Sequence, residues 1–320
     1  MKRKHALLLL ALVTALPAAQ AQTGNWPDKP VRVIVPMLPG STSDVLARTF
    51  TSRMSEEYGQ SFVVDNRGGA GGAIGAEIAA RARPDGYTMI YVPSSYAATP
   101  AFYNLPYDPV KGVAPISLIL TVPFLLVMPP SVKAANLKEF IVLSRARPGA
   151  LNFGSSGVGG STHLAGELFQ QMTGTKWLHI PYKGGPTMIA DLITGQIQIS
   201  IITAVVAGPP IKAGKLRALA VTTAQRSAIM PDLPTISEQV PGYEVDGWGG
   251  MLAPAGTPRE IIMRVNQSIA RILKLPEVLE RLRAVGAEAA HTTPEEFARK
   301  IAREIAMWSK VVKTADIRIN

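Results

Sequence analysis

The chain is expected to fold as an α/β protein of two lobes, each a mostly parallel sheet flanked by helices, joined by crossing strands in a clamshell arrangement. Three observations predict this. Short apolar runs alternate with helical patterns in both halves of the chain, the signature of βαβ units. A strand–loop–helix passage with a Gly/Ser/Thr loop occurs once in each half, at Pro39–Asp44 and at Gly154–Thr162. Two extended, Pro- or Gly-punctuated stretches, Pro115–Met128 and Gly242–Leu252, lie where the chain would cross between lobes.

Residues 1–21 are set apart from the fold. Lys2, Arg3 and Lys4 precede an apolar run from Ala6 to Leu16 and the small-residue stretch Ala19-Gln20-Ala21. This is the pattern of a secretory leader, cut before Gln22, and its apolar run is far shorter than the roughly 20 residues of a membrane span. A soluble periplasmic product is expected. Cys is absent, so an exported chain of this kind must be held by its core and not by disulfides. About 300 residues then remain, with 47% hydrophobic content over the whole chain, which suits two domains. The boundaries expected are 22–125 with 245–320 for one lobe and 126–244 for the other. The formal charge of +10, three of it from the leader, favours small anionic partners. The basic residues are scattered and not interleaved with aromatics, which argues against nucleic acid.

In order, Val31–Val35 is a β-branched strand stopped by Pro36, and Pro39-Gly40 turns the chain. Ser41, Thr42, Ser43 and Asp44 suit a helix N-terminus, and Leu46, Phe50, Met54 and Tyr58 follow at helical spacing. Strand 61–65 runs into the five-glycine loop 66–75 and a helix over 73–83; strand 87–92 ends in Pro93-Ser94-Ser95. Pro123 makes a continuous central strand improbable across 115–128. A helix over 134–147 precedes strand 151–153, the loop 154–162 and a helix with Leu164, Leu168 and Met172 on one face. Strand 177–180 ends in Pro181-Tyr182-Lys183, a helix over 187–194 closes on Gly195, and strands follow at 196–202 and 216–221. Thr257-Pro-Arg-Glu260 and Thr293-Pro-Glu-Glu296 both read as capping boxes with Pro at the first helical position. Ile261, Val265, Ile269 and Leu273 form a core-facing stripe.

Catalytic constellations are thin. There is no G-x-S-x-G, H-E-x-x-H or P-loop lysine motif, and Ile74 stands where G-x-G-x-x-G needs its third glycine. After the leader only His163, His179 and His291 remain, with no metal-ligand spacing on one helix; no metal or cofactor is expected. Strand-to-helix loops present backbone N–H groups at the positive end of a helix dipole, which suits an anion. Two such loops facing each other would hold a small anion between lobes. The rival is an exported hydrolase using Ser161 or Ser156 with His163.

The residues resemble the Bug family of periplasmic solute receptors of tripartite tricarboxylate transporters. The resemblance is carried by Trp26-Pro-Asp-Lys-Pro-Val-Arg-Val-Ile-Val-Pro36, Pro39-Gly-Ser-Thr-Ser-Asp44, Asn66-Arg-Gly-Gly-Ala-Gly-Gly72, Pro84-Asp-Gly-Tyr-Thr88 and Leu105-Pro-Tyr-Asp-Pro109. It continues through His163-Leu-Ala-Gly-Glu167, His179-Ile-Pro-Tyr-Lys-Gly184, Gly214-Lys-Leu-Arg-Ala-Leu-Ala-Val221 and Ala253-Pro-Ala-Gly-Thr-Pro258. It implies a monomeric receptor that binds a small carboxylate and delivers it to integral membrane transporter subunits, or to a membrane signalling partner. By position it implies a site of Gly40, Ser41, Thr42, Ser43, Ala70, Gly71, Ser94 and Ser95 in one lobe. The other lobe would give Ser155, Ser156, Gly157, Ser161, Thr162, His163, Tyr182, Lys183 and Thr203. Two departures bear on ligand choice: Ser41 replaces a second glycine after Pro-Gly, and Thr203-Ala204 replaces an Asp or Asn, which weakens an amino-acid ligand.

Overall fold

A computed structural model describes residues 25–182, 185–228 and 230–319, with backbone alone at 185 and 186. The leader, Gln22 and Lys183 lie outside the described residues. The strands are β1 (Val31–Val35), β2 (Phe62–Asn66), β3 (Thr88–Pro93), β4 (Val113–Met128), β5 (Asn152–Ser155), β6 (Leu178–Pro181), β7 (Ile199–Thr203), β8 (Arg217–Val221), β9 (Asp246–Pro254) and β10 (Glu288–Ala289). The helices are α1 (Thr42–Tyr58), α2 (Ala73–Ala80), α3 (Ser95–Ala98), α4 (Leu137–Ala146), α5 (Ser161–Thr173), α6 (Gly185–Thr194), α7 (Ala204–Lys212), α8 (Arg259–Ile272), α9 (Pro276–Ala284) and α10 (Pro294–Thr314).

The strands order as β2-β1-β3-β9-β4-β7-β5-β6, with β8 and β10 both on β4. Pairing is parallel within β2-β1-β3 and within β6-β5-β7, as the βαβ reading requires, and antiparallel wherever β4 or β9 takes part. The two halves are therefore two α/β lobes sharing one long strand. Over Val113–Pro123, β4 pairs with β9; from Phe124 it pairs with β7 and from Leu125 with β8.

Here the structure corrects the expectation drawn from Pro123. The strand is continuous through it. Pro123 stands opposite Asp246, the first residue of β9, at the point where β4 changes neighbours. A missing N–H is tolerated where no through-going ladder needs it, and the next donor, Phe124 N–H, goes to Thr222 Oγ1 at 3.2 Å. Pro115 is accommodated by a register shift immediately after it.

The core follows strand alternation. Val31, Val33 and Val35 face α1 and α8, packing with Phe50, Met54, Ile261 and Val265, whereas Ile34 joins a second cluster on the opposite face. A β-branched run buried on both faces is what a central parallel strand needs. In β4, Phe124 and Leu126 join the large cluster that runs through both lobes, while Leu125 and Val127 join a smaller one with Met188, Leu192 and Ile202. The stripe Ile261, Val265, Ile269 and Leu273 is buried as expected, but Met172 is exposed.

Of the two expected capping boxes one forms. Thr293 and Glu296 cap α10 reciprocally. Thr257 does not cap α8, which starts at Arg259; its buried hydroxyl donates to Pro254 O at 2.8 Å, within the turn that leaves β9. A box the sequence reading lacked joins Thr235 and Glu238. Helix α10 packs against β4, α3 and α5, and so touches both halves.

Candidate functional site

The C-terminal ends of β1, β2, β3 and β5 carry the Gly/Ser/Thr loops, and β7 runs directly into α7. After β1, Ser41 is the N-cap of α1, its Oγ accepting from Asp44 N–H at 3.2 Å. Asp44, buried, reaches back to accept Gly40 N–H at 2.9 Å, and its other oxygen accepts from Arg48 Nε and Asn66 Nδ2, each at 3.0 Å. Burial pushes this carboxyl up, but the bonds from Arg48, Gly40 and Asn66 outweigh it and hold Asp44 below the usual carboxylate range. Gly40 N–H is thus engaged within the loop. The first-turn amides at Thr42 and Ser43 have no intrahelical carbonyl to reach.

After β2, residues 69–72 all take positive φ: 118°, 48°, 63° and 100°. Three are glycines; Ala70 adopts the left-handed region with a Cβ, a strained choice of the kind that persists at ligand-facing loops. Gly71 lies under the Tyr103 ring, where a Cβ would stand 3.2 Å from it. After β3, Ser94 N–H donates to Trp248 O at 2.9 Å. Ser95 Oγ is buried and has no hydrogen-bond partner, although buried hydroxyls are normally paired.

In the other half, loop 155–163 is braced by two stacked imidazoles. The rings of His163 and His179 lie 3.7 Å apart and 9° from parallel. His163 Nδ1 accepts from Gly159 N–H at 3.1 Å, which places the ring proton on Nε2, facing Glu167 at 3.6 Å. His179 Nε2 meets Ser155 Oγ at 2.6 Å. Burial, and then the neighbouring His163, pull His179 down to about 4, so it is neutral near pH 7. Ser156 N–H and Oγ both engage Thr162 Oγ1, at 3.1 and 2.8 Å. Ser161 opens α5, whose N-cap residue Gly160 makes no side-chain cap bond, so its first-turn amides have no intrahelical carbonyl to reach. Tyr182 donates to Asp191 Oδ2 at 2.7 Å, and burial with that carboxylate pushes its phenol to about 12. Thr203 is the N-cap residue of α7 but makes no side-chain cap bond.

Between the halves lies a cavity of about 270 Å³. Gly71, Ser95 and Thr99 line it from one side and Val158, Gly159 and Gly160 from the other. Of the expected site residues only Gly71 and Ser95 line this space. Gly40–Ser43, Ala70 and Ser94 lie on the neighbouring strand-end loops; Ser155–Gly157 and Ser161–His163 flank its far wall. Thr99, Phe102, Tyr103, Gly159, Gly160 and Ile319 were not anticipated. Thr99 had a detectable signal, since it extends the polar strand end after β3, and its Oγ1 lies within bonding distance of Gly71 O and Ser95 O. A larger cavity, about 650 Å³, is elsewhere, between Val205 at the start of α7 and Leu279 and Leu282 of α9. It holds none of the expected residues, so the smaller space, where the strand-end loops converge, is the candidate site. Among the described residues no three His, Asp or Glu side chains converge to hold a metal ion, and no helix is long and apolar enough to cross a membrane.

Two α/β lobes joined by shared and crossing strands, with ligand-suited loops facing one another, define the class of periplasmic solute-binding proteins. Comparison with known proteins resolves the class further. The family model described as tripartite tricarboxylate transporter family receptor matches residues 46–317, and the chain belongs to this family of solute receptors. It is 34% identical to BugT of Bordetella pertussis over 323 residues, covering 100% of this chain and 99% of that one. Among solved structures it is similar to Rpa4515 of R. palustris with adipate, at 40% identity and a TM-score of 0.70, covering 92% and 99% of the two chains. It is also similar to a ligand-free TctC solute-binding protein from Polaromonas, at 26% identity and a TM-score of 0.85, covering 90% and 99%.

Proposed function

We propose that this receptor captures a small carboxylate in the cleft between its two Gly/Ser loops and hands it to the membrane subunits of a tripartite transporter. The observation that carries the reading is the convergence at one cavity of loops from both halves, with the unpartnered Ser95 Oγ and Gly71 on one side and Gly159–Gly160 on the other. The Gly159 and Gly160 amides are themselves engaged, with His163 Nδ1 and Gly157 O, so the Ser95 hydroxyl and the first-turn amides of the strand-end helices are the donors that would meet a carboxylate without a guanidinium. The adipate carried by Rpa4515, 40% identical, supports the ligand class.

The lobes divide at the crossing strands, as 22–125 with 245–320 and 126–244; the change of partners at Pro123, opposite Asp246, supports a hinge there. The more distant, ligand-free relative superposes better than the closer adipate-bound one, 0.85 against 0.70. That ordering supports an open lobe arrangement, which a ligand would shift by preferring the closed form. The chain acts as a receptor and not as a hydrolase. His163 is held by Gly159 and Glu167 rather than by Ser156 or Ser161, and the serine that does meet an imidazole, Ser155, is fully buried. Export to the periplasm with cleavage before Gln22, and action as a monomer, complete the reading.

Thermal melting against mono-, di- and tricarboxylates tests it. An acid present at 100 times its dissociation constant should add about 2.7 kcal/mol. If no acid in a broad panel raises the melting temperature, the carboxylate reading is wrong.

A further inference from the structure

The segment after α10 enters the candidate cavity. Asp316 takes a left-handed conformation (φ 47°), and Ile317 N–H donates to Val312 O at 3.1 Å. That six-to-one bond closes a Schellman turn. It folds Ile317 back onto the main core and carries Ile319 to the cleft. There Ile319 Cγ2 and the Phe102 ring converge on Gly159: a Cβ on that glycine would stand 3.1 and 3.2 Å from them. Ile319 thus bridges the two sides of the cavity, with Phe102 from one half and the 158–160 loop from the other.

The cavity so completed has two unlike ends. One carries the unpartnered Ser95 Oγ and the backbone of Gly71. The other is walled by Phe102, Val158 and Ile319, and among the described residues no lysine or arginine lines the space. The ring of Tyr103 lies against Gly71, at the polar end.

From this we infer that the preferred ligand carries one carboxylate on an apolar body, and that Ile319 is a specificity-determining residue for that body. The inference rests on the receptor reading above and narrows it. A second carboxylate would be pressed against Phe102 and Ile319, where the nearest amides are already engaged, Gly159 N–H with His163 Nδ1 and Gly160 N–H with Gly157 O. An anion desolvated there without new hydrogen bonds is costly. Each methylene buried against the wall, by contrast, is worth about fourfold in affinity.

Hexanoate and adipate share a six-carbon chain and differ in the second carboxylate; acetate has the carboxylate and no body. Calorimetric titration of the mature chain with the three acids is expected to give hexanoate at least tenfold tighter than adipate or acetate. Ile319→Ala should weaken hexanoate by about tenfold and leave acetate and the melting temperature unchanged, because Ile319 is only partly buried and outside the buried core. Ile319→Lys should turn the preference toward adipate. Adipate binding as tightly as hexanoate to the wild type, or hexanoate affinity indifferent to Ile319→Ala, overturns the inference and leaves the receptor reading standing. Binding of no carboxylate overturns both.

Discussion

Replacing Asp44 should reveal how much of the first anion-facing loop is held by one buried carboxylate. Asp44 is 4% exposed and accepts three hydrogen bonds, from Gly40 N–H, Arg48 Nε and Asn66 Nδ2. Bonds to a charged group contribute about 1.5–3 kcal/mol each. Gly40 and Arg48 are exposed, however, and water can replace the lost partner for both. About 1 kcal/mol per bond is the fairer figure, so Asp44→Ala should cost about 3 kcal/mol. For a chain of this size, 1 kcal/mol shifts the melting temperature by about 2 °C, giving a loss of about 6 °C. Asp44→Asn keeps the shape and one acceptor but turns a donor toward Gly40 N–H or toward Arg48 and Asn66, and should lie between. The carboxyl is held below its usual range in the fold. Its contribution is therefore fully present above the unfolded value of about 3.9 and is lost as pH falls through the lower folded value. Melts by circular dichroism at pH 7 and pH 3 should show the gap between wild type and Asp44→Asn closing at the lower pH. A melting temperature of Asp44→Ala within 1 °C of wild type at pH 7 would refute the reasoning.

Two other perturbations test different features. Gly249→Ala would place a Cβ 2.0 Å from Tyr91 Oη, in a fully buried contact between β3 and β9. Overpacking of this kind costs about 1–3 kcal/mol, and Tyr91→Phe should recover part of it; equal melting temperatures of wild type and Gly249→Ala would rule the contact out. His179, lowered to about 4 by burial and by His163, binds fewer protons in the fold than when unfolded between about pH 6.5 and pH 4. Stability should accordingly fall as pH drops through that window, more steeply in wild type than in His179→Gln, and identical pH profiles for the two would exclude it.

Much of the architecture was legible in the residues. The β-branched run Val31–Val35, the helical spacing through Leu46, Phe50 and Met54, and the stripe Ile261–Val265–Ile269–Leu273 are local patterns whose burial depends only on period. Thr293 and Glu296 cap α10 because a capping box closes within four residues. Thr257 and Pro258 offered the same signature, yet the hydroxyl turned to Pro254 O in the tight exit from β9. Pro123 read as a break because a strand is judged by one continuous neighbour, whereas β4 has different neighbours on either side of it.

For the candidate site, residue type marked the loops: two Gly/Ser/Thr turns at strand ends are a local property and were found from composition and spacing alone. Which of their polar groups remain open is settled over long separations. Gly40 N–H goes to a carboxylate fixed by Asn66, 22 residues from it; Ser155 goes to His179, 24 residues away; Ser94 N–H goes to Trp248. Ser95 Oγ is buried without a partner among residues brought to it from the end of β1, α2 and the segment after β3. Ile319 reaches the cavity through a left-handed residue at Asp316 and a helix that spans both lobes. The amino-acid order determined the strands, the helices and the loops that suit an anion. The tertiary structure alone decided which donors face the cleft and what walls it, because hydrogen-bond satisfaction and cavity lining depend on partners brought together from distant parts of the chain.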